Sequence, residues 1–341
     1  MKRNKLILFL LPLVVVAAVV VLAFGRRSQV LQYQKDSGFI FGTTYNVTYQ
    51  SNENLKAEIE QALKEVDFAL SPFNKQSIIT AINQNRDTTI NSLFLDVFKT
   101  AGKVFADTEG AFDITVAPLV NAWGFGFKNG TMPDDRQIDS IKAFVGFNMV
   151  KVDEKLMKIM KADPRLMLDC GAVAKGYGVD RVAAMLRSKG ISNFLVEIGG
   201  EVVAEGVNPE KQKWRIGILQ PNDDSLSVNE ELQAIVSLNN VAMATSGNYR
   251  NFYYKDGRKY AHTIDPATGR PVQHNILSAT VLAPTCAMAD AYATAFMVMG
   301  LDKAKEVLSR HDEMKAYLIC TNDKGGYYVW HSPEMSDDIA E

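Results

Sequence analysis

The sequence has few of the residues that characterise several large classes of protein. Its 341 residues include three cysteines, and this odd number excludes a framework in which every cysteine is paired. The 37 lysines and arginines nearly balance the 39 aspartates and glutamates, so no basic excess indicates binding to nucleic acid. The chain has no internal repeat, no low-complexity tract and no GxxxxGK[ST] phosphate loop. Cys170, Cys286 and Cys320 lie among apolar or small residues, and we expect buried free thiols.

One long apolar run lies near the N-terminus, where three basic residues precede Leu6 to Phe24. About 19 apolar residues are enough for a helix to cross a bilayer. We therefore predict a membrane anchor or signal segment at residues 1–27, followed by a polar tether at 28–38. Basic residues before the run favour an N-terminus in the cytoplasm, and Arg26 and Arg27 after the run weaken this preference. The folded part is then expected on the periplasmic side of the inner, or cytoplasmic, membrane.

The remainder of the chain mixes helical and strand patterns. Apolar residues recur at helical spacing in 54–70 and 93–106, whereas 194–282 contains several short strands separated by turns. This order predicts an α+β fold with a single large domain at 39–333, built from mixed or antiparallel sheets flanked by helices. Residues 334–341 are predicted to form a polar C-terminal tail.

The most informative stretch runs from Leu168 to Asp180. A short apolar strand is expected to end at Asp169, and a glycine-containing turn then leads into a helix that stops at Gly190. Unpaired N–H groups at the start of a helix favour an anion. Lys175, expected in the first helical turn, would add a positive charge for a bound phosphate. A plain tight turn would explain the same pattern.

A second helix carries Asp290 and Thr294 four residues apart among alanines. Residues at this spacing share a helix face, where a carboxylate and a hydroxyl could bind a hard cation such as Mg²⁺. The alternative is a structural role, in which the threonine bonds to its own helix backbone.

His262 stands beside a predicted turn at 265–269 and is one of only four histidines in the chain. It is a candidate general base, although a structural histidine fits the same position. Asp113 and Asp169 lie at junctions between strands and turns. Each could accept hydrogen bonds from a ligand, and each could equally cap a turn. The aromatic and glycine-rich segment 111–126 fits either a core strand with a packed loop or the wall of a pocket for a flat ring.

Taken together, these motifs resemble the FAD:protein FMN transferase (ApbE) family. The resemblance covers roughly residues 38 to 330, with its blocks in the expected order. The matching blocks are Asp169-x-Gly171-Ala172-x-Ala174-Lys175-Gly176-Tyr177-x-Val179-Asp180, Gly199-Gly200, Ala244-Thr245-Ser246-Gly247, His262-x-x-Asp265-Pro266-x-Thr268-Gly269 and Ala289-Asp290-Ala291-x-Ala293-Thr294-Ala295. In the N-terminal half, Gly42-Thr43-Thr44, Ser71 to Phe73 and Ala111-Phe112-Asp113 fit as well.

The resemblance implies an α+β catalytic domain that binds FAD and Mg²⁺. It implies transfer of FMN from FAD to a threonine hydroxyl of an exported acceptor protein through a phosphoester bond, with release of AMP. By position, Asp290, Thr294 and the backbone carbonyl of Ala172 would hold the metal. The implied FAD contacts are Ala111, Phe112, Asp113, Asp169, Lys175, Ile264, and Phe41 and Phe73, which stand where the family commonly has Met and Tyr.

Two other functions fit the same residues. One is an Mg²⁺-dependent FAD pyrophosphatase that uses water and releases FMN and AMP. The other is a membrane-tethered protein that binds flavin without catalysis. For a transferase, the family resemblance implies that the acceptor is a flavin-bearing subunit of a membrane redox complex.

Overall fold

The computed structural model describes residues 31–125, 132–221, 231–248, 252–255, 258–273, 275–322 and 326–340. The predicted anchor at 1–27 lies outside these residues. Within the described ranges, no helix has the length and apolar character needed to cross a membrane. The helices are α1 (Lys56–Leu70), α2 (Ile78–Asn83), α3 (Ser92–Asp107), α4 (Ala117–Ala122), α5 (Asp135–Lys142), α6 (Gly171–Ser188), α7 (Cys286–Met299) and α8 (Leu301–Leu308).

Seventeen strands form one large sheet and four small ones within the described part of the chain. The large sheet has the order β1-β2-β5-β6-β9-β14-β15-β16, and each of its neighbouring pairs is antiparallel. The strands are β1 (Tyr33–Ile40), β2 (Thr43–Gln50), β3 (Val150–Asp153), β4 (Lys158–Lys161), β5 (Phe194–Ile198), β6 (Glu201–Glu205), β7 (Trp214–Leu219), β8 (Leu232–Leu238), β9 (Val241–Gly247), β10 (Phe252–Lys255), β11 (Arg258–Ala261), β12 (Ile264–Asp265), β13 (Arg270–Pro271), β14 (Ile276–Ala283), β15 (Lys315–Thr321), β16 (Tyr327–His331) and β17 (Ile339–Ala340).

The large sheet is covered on both faces. Because side chains alternate along a strand, Leu318 of β15 packs with the helices, whereas its neighbours Tyr317 and Ile319 pack against a smaller sheet. That smaller sheet has the order β17-β8-β7 and contributes Trp214 and Val236 to the second core. The predicted α+β domain is therefore confirmed, with helices on one face and a small sheet on the other.

Helix α7 lies at the centre of the helical layer. Eleven of its 14 residues are buried, and Asp290 is its one charged residue. A helix that is apolar all round must pack on all sides, and the alanines allow its neighbours to come close. The Asp180 carboxylate of α6 accepts hydrogen bonds from the N–H groups of Cys286 and Ala287 at 2.8 and 2.9 Å. These bonds fix the start of α7 against α6.

The ends of the domain differ from the prediction. Residues 33–38, predicted as tether, belong to β1, because alternate side chains of this segment are partly buried against the sheet. The predicted C-terminal tail contains Met335, which is fully buried, and β17, which pairs with β8. Both segments are polar by composition, but each gains backbone pairing that composition does not reveal.

Two local predictions also differ from the structure. Helix α6 begins at Gly171, with Cys170 as its N-cap, so Lys175 lies in the second turn and not in the first. Of the two interpretations of the 111–126 segment, the core strand is not formed. Residues 111–116 form turns, in which the Asp113 carboxylate accepts bonds from Thr115 and from the N–H of Phe147. The three cysteines are buried and unpaired, as expected.

Candidate active site

Two adjoining cavities lie between the helical layer and the two sheets. The larger has a volume of about 610 Å³, and the smaller has a volume of about 440 Å³. Asp169, Gly171 and Lys175, all at the start of α6, line both cavities. A ligand that fills both spaces must therefore pass this helix terminus, where the helix dipole and the lysine favour negative charge.

The start of α6 is held by local hydrogen bonds. The backbone N–H of Asp169 donates to the carbonyl of Ile114, and Oδ1 of Asp169 accepts from the N–H of Gly171 at 2.8 Å. Burial raises the pKa of the Asp169 carboxyl, and this hydrogen bond opposes the rise. Asp169 therefore acts as a turn cap, as one of the two interpretations predicted, and also lies on the wall of both cavities.

Lys175 lies between two buried carboxylates. Its Nζ is 2.6 Å from Oε1 of Glu201 and 3.8 Å from Oδ1 of Asp290. Burial by itself would lower the pKa of Lys175, but the charges of Asp290 and Glu201 outweigh it and raise the pKa. The lysine side chain still exposes 30% of its surface. It is therefore a permanent positive charge that a ligand in either cavity can reach.

Glu201 is the residue of this cluster that the sequence did not reveal. It follows the Gly199-Gly200 turn, whose residues have φ values of +63° and +106°, and it begins β6. Burial raises the pKa of the Glu201 carboxyl, Lys175 opposes the rise, and Asp290 adds to it. Among the described residues, Oε2 of Glu201 has no hydrogen-bond partner although it is buried.

Asp290 accepts a hydrogen bond from the backbone of α6, one turn after Ala172. In a regular helix the N–H of Gly176 donates to the carbonyl of Ala172. In this structure the same N–H donates to Oδ2 of Asp290 at 3.1 Å. The carboxylate of α7 is thereby drawn to the turn of α6 that contains Ala172.

Thr294 lies one turn further along α7, with its hydroxyl 3.1 Å from the hydroxyl of Ser246 on β9. Its hydroxyl is therefore directed toward a neighbouring strand. Ser246 belongs to the 244–247 block of the sequence, but no local pattern indicated that it would meet Thr294. Within the described ranges, no group of three or more His, Cys, Asp or Glu is placed to hold a metal ion.

His262 lies on the wall of the larger cavity, just before β12. Its ring is in edge contact with Phe125, with 6.5 Å between the ring centroids. The predicted turn after it is present, since the N–H of Gly269 donates to the carbonyl of Asp265. Trp123 donates to the carbonyl of Gly269 at 2.8 Å, which ties this turn to α4.

The remaining predicted site residues divide between the two spaces. Phe41 and Phe73 line the smaller cavity, and Phe73 is 78% exposed. Phe41 has a φ of +52°, a left-handed conformation imposed by the tight turn between β1 and β2. The predicted residues that line the larger cavity are Ala111, Phe112, Asp113, Asp169, Ala172, Lys175, His262, Ile264, Asp290 and Thr294.

The chain matches a known protein family over most of its length. The sequence model of the ApbE family covers residues 41–318. This chain belongs to the ApbE family. All predicted site residues lie within the matched range.

ApbE relatives resemble the chain over most of their length. The FAD:protein FMN transferase of Haemophilus influenzae is 38% identical over 304 residues, which cover 85% of this chain and 87% of that protein. The FAD:protein FMN transferase of Escherichia coli K12 is 38% identical over 288 residues, covering 82% of this chain and 80% of that protein.

Solved ApbE structures share the fold. The flavin transferase ApbE from Vibrio cholerae gives a TM-score of 0.80 at 34% identity, covering 90% of this chain and 99% of that one. The apo flavinyl transferase ApbE from Pseudomonas stutzeri gives a TM-score of 0.80 at 30% identity, covering 91% and 98%. The α+β architecture is therefore that of known flavin transferases.

Proposed function

We propose that this protein is an Mg²⁺-dependent FAD:protein FMN transferase. It takes the FMN half of FAD, joins it to a threonine hydroxyl of an acceptor protein, and releases AMP. The single observation that carries this proposal is the pair of cavities joined at Lys175. FAD has a ring system at each end and a diphosphate in the middle, and this outline fits two spaces that share a cationic helix start.

The two spaces differ in character in a way that suits the two halves of FAD. The smaller cavity is bounded by aromatic rings, including Phe41 and Phe73, which favours the flat flavin ring. The larger cavity includes the 111–113 segment and Ile264, and it would receive the adenosine half. The diphosphate then lies beside Lys175.

The residues present fit a divalent cation. Mg²⁺ prefers oxygen ligands and binds through few carboxylates, keeping its other positions for water and phosphate. Asp290, Thr294 and the Ala172 carbonyl would supply three oxygens, and the hydrogen bond from the Gly176 N–H holds the Asp290 carboxylate against α6. When bound, the ion would neutralise charge that develops on the diphosphate during transfer.

The reaction is a displacement at the phosphorus of the FMN half. The threonine oxygen forms a bond to that phosphorus, and the bond from phosphorus to the oxygen bridging to AMP breaks. AMP leaves with the bridging oxygen. A threonine hydroxyl is a weak nucleophile, and His262 on the cavity wall is our candidate to take its proton. Lys175 compensates the negative charge of the diphosphate throughout.

The test is a transfer assay with the full chain in detergent. The protein is mixed with FAD, Mg²⁺ and an exported redox subunit that carries the target threonine, and the mixture is run on a denaturing gel. Flavin fluorescence that remains on the acceptor, with one AMP released per flavin attached, supports the proposal. An acceptor with alanine in place of the threonine is the matched control.

Two results would contradict this function. Free FMN and AMP without labelled acceptor would show a pyrophosphatase, and intact FAD without turnover would show a flavin carrier. Asp290→Asn, which replaces the carboxylate with a neutral amide, is expected to abolish Mg²⁺-dependent transfer, because the predicted ion loses its one charged ligand. Unchanged turnover in this variant would rule out the metal assignment.

The proposal includes a place of action. The basic residues and the apolar run at 1–27 support an anchor in the inner membrane with the catalytic domain on the periplasmic side. The acceptor would then be an exported subunit of a membrane redox complex. Protease added to intact spheroplasts should digest the catalytic domain, and a fully protected domain would contradict this orientation.

A further inference from the structure

Glu201 is a buried carboxylate for which the sequence predicted no role. Its side chain is only 3% exposed, it lies in a cluster with a second carboxylate, and its Oε2 has no partner among the described residues. A buried carboxylate that is only partly hydrogen-bonded destabilises the fold unless something else requires it. Glu201 is the first residue of strand β6, so its side chain does not cap a helix.

The geometry assigns Glu201 to Lys175. The ammonium group has three donors, and the 2.6 Å contact with Oε1 uses one of them. Asp290 at 3.8 Å is beyond hydrogen-bond distance. Two donors of Lys175 therefore remain for a ligand in the cavities.

Removing the charge of Glu201 would change the position of the Lys175 ammonium group. Asp290 is the other carboxylate close to the ammonium, and its attraction would no longer be opposed from the Glu201 side. The flexible lysine stem allows the ammonium to swing toward Asp290 and to pair with it. Lys175 would then leave the diphosphate position, and Asp290 would lose its availability for a cation.

We propose that Glu201 is a positioning residue that holds the Lys175 ammonium at the junction of the two cavities and away from Asp290. This inference rests on the proposed function, because it takes the FAD diphosphate as the ligand of Lys175. It predicts that Glu201 affects FAD binding only through Lys175. A residue that acts only by supporting the fold would not show this dependence.

A double-mutant cycle on FAD binding tests the dependence. Quenching of flavin fluorescence is measured in EDTA for the full chain and for the variants Glu201→Gln, Lys175→Met and the combination. Loss of one charged hydrogen bond predicts FAD binding roughly 10- to 100-fold weaker in each single variant. The double variant should bind FAD as Lys175→Met does, within about threefold.

The chain offers a matched control on the same strand. Glu205 of β6 pairs with Nε of Arg187 at 2.6 Å, the same distance as the Glu201–Lys175 pair, but it lines neither cavity. Glu205→Gln should leave FAD affinity within about twofold, since exposed ion pairs contribute little. Glu201→Asp, which retains the charge, should restore most of the affinity, and thermal melting checks that each variant is folded.

Three results would overturn the inference. They are wild-type FAD affinity in Glu201→Gln, losses that add fully in the double variant, and no rescue by Glu201→Asp in a folded protein. A different result would contradict the proposed function. Normal FAD binding by the full chain without transfer to any acceptor would refute the transferase and leave the role of Glu201 intact.

Discussion

The packing of α6 against α7 predicts that one methyl group added at Gly176 will lower the rate of flavin transfer much more than the stability of the fold. A β-carbon at Gly176 would lie 2.3 Å from the carbonyl oxygen of Cys286 and 2.6 Å from its carbonyl carbon. Both atoms belong to the backbone of α7, so they cannot rotate away. Comfortable carbon contacts need roughly 3.5–4.0 Å, so Gly176→Ala must move the helices apart by roughly 1 Å.

The two expected effects differ in size. Overpacking costs about 1–3 kcal/mol, and alanine in a helix interior recovers about 1 kcal/mol relative to glycine. The net loss of unfolding free energy is therefore only about 0–2 kcal/mol. The same displacement moves Asp290 away from Ala172 and Lys175, and a misplacement of about 1 Å can lower a rate by about 10²-fold.

The assay compares initial rates of flavin transfer with melting temperatures. The control is Gly102→Ala in α3, where the new β-carbon meets the ring of Phe147 at 3.0 Å. That ring can adjust, and the helix propensity changes by the same amount. We expect normal transfer in Gly102→Ala and a loss of about 10²-fold in Gly176→Ala. Equal rates in the two variants would refute the claim that the spacing of α6 and α7 sets the site geometry.

Two further predictions concern single side chains. His262→Ala should retain FAD binding but lose about 10²- to 10⁴-fold in transfer rate, measured on denaturing gels; full activity would exclude His262 from the mechanism. Burial by itself would raise the pKa of Asp107, but hydrogen bonds from Tyr292 and His311 outweigh it and hold the pKa below its ordinary 3.8. Its stabilising contribution is therefore present above pH 4 and is lost as the pH falls through the folded-state pKa. Asp107→Asn should lower unfolding free energy by about 2 kcal/mol at pH 7 in urea titrations, with a smaller difference below about pH 4; a difference that does not depend on pH would contradict this origin.

Local patterns predicted the elements whose structure depends on near neighbours. β7 and β8 lie in the stretch 194–282 that was predicted to contain short strands, because their alternation and flanking turns are encoded within a few residues. Ser77 caps α2, since its hydroxyl accepts from the N–H of Thr80, and serine is a residue type that favours this position. Gly190, with a φ of +75°, follows the end of α6 as predicted.

Contacts between distant segments were beyond the reach of these patterns. Glu201 and Lys175 are neighbours only because α6 and β6 pack together, and a glutamate after a glycine turn is usually solvated. The resemblance to a family supplied candidate site positions, but it did not indicate that Glu201 pairs with Lys175.

The pairing of β17 with β8 has a consequence for how the protein matures. Ile339 pairs with Val236, about 100 residues earlier in the chain, and the adjacent β7 contributes Ile216 and Ile218 to the wall of the larger cavity. Such distant partners close late, because the intervening loop must first be ordered. The three-stranded sheet behind the larger cavity is therefore completed only after residues near 340 have emerged from the ribosome and can pair with β8.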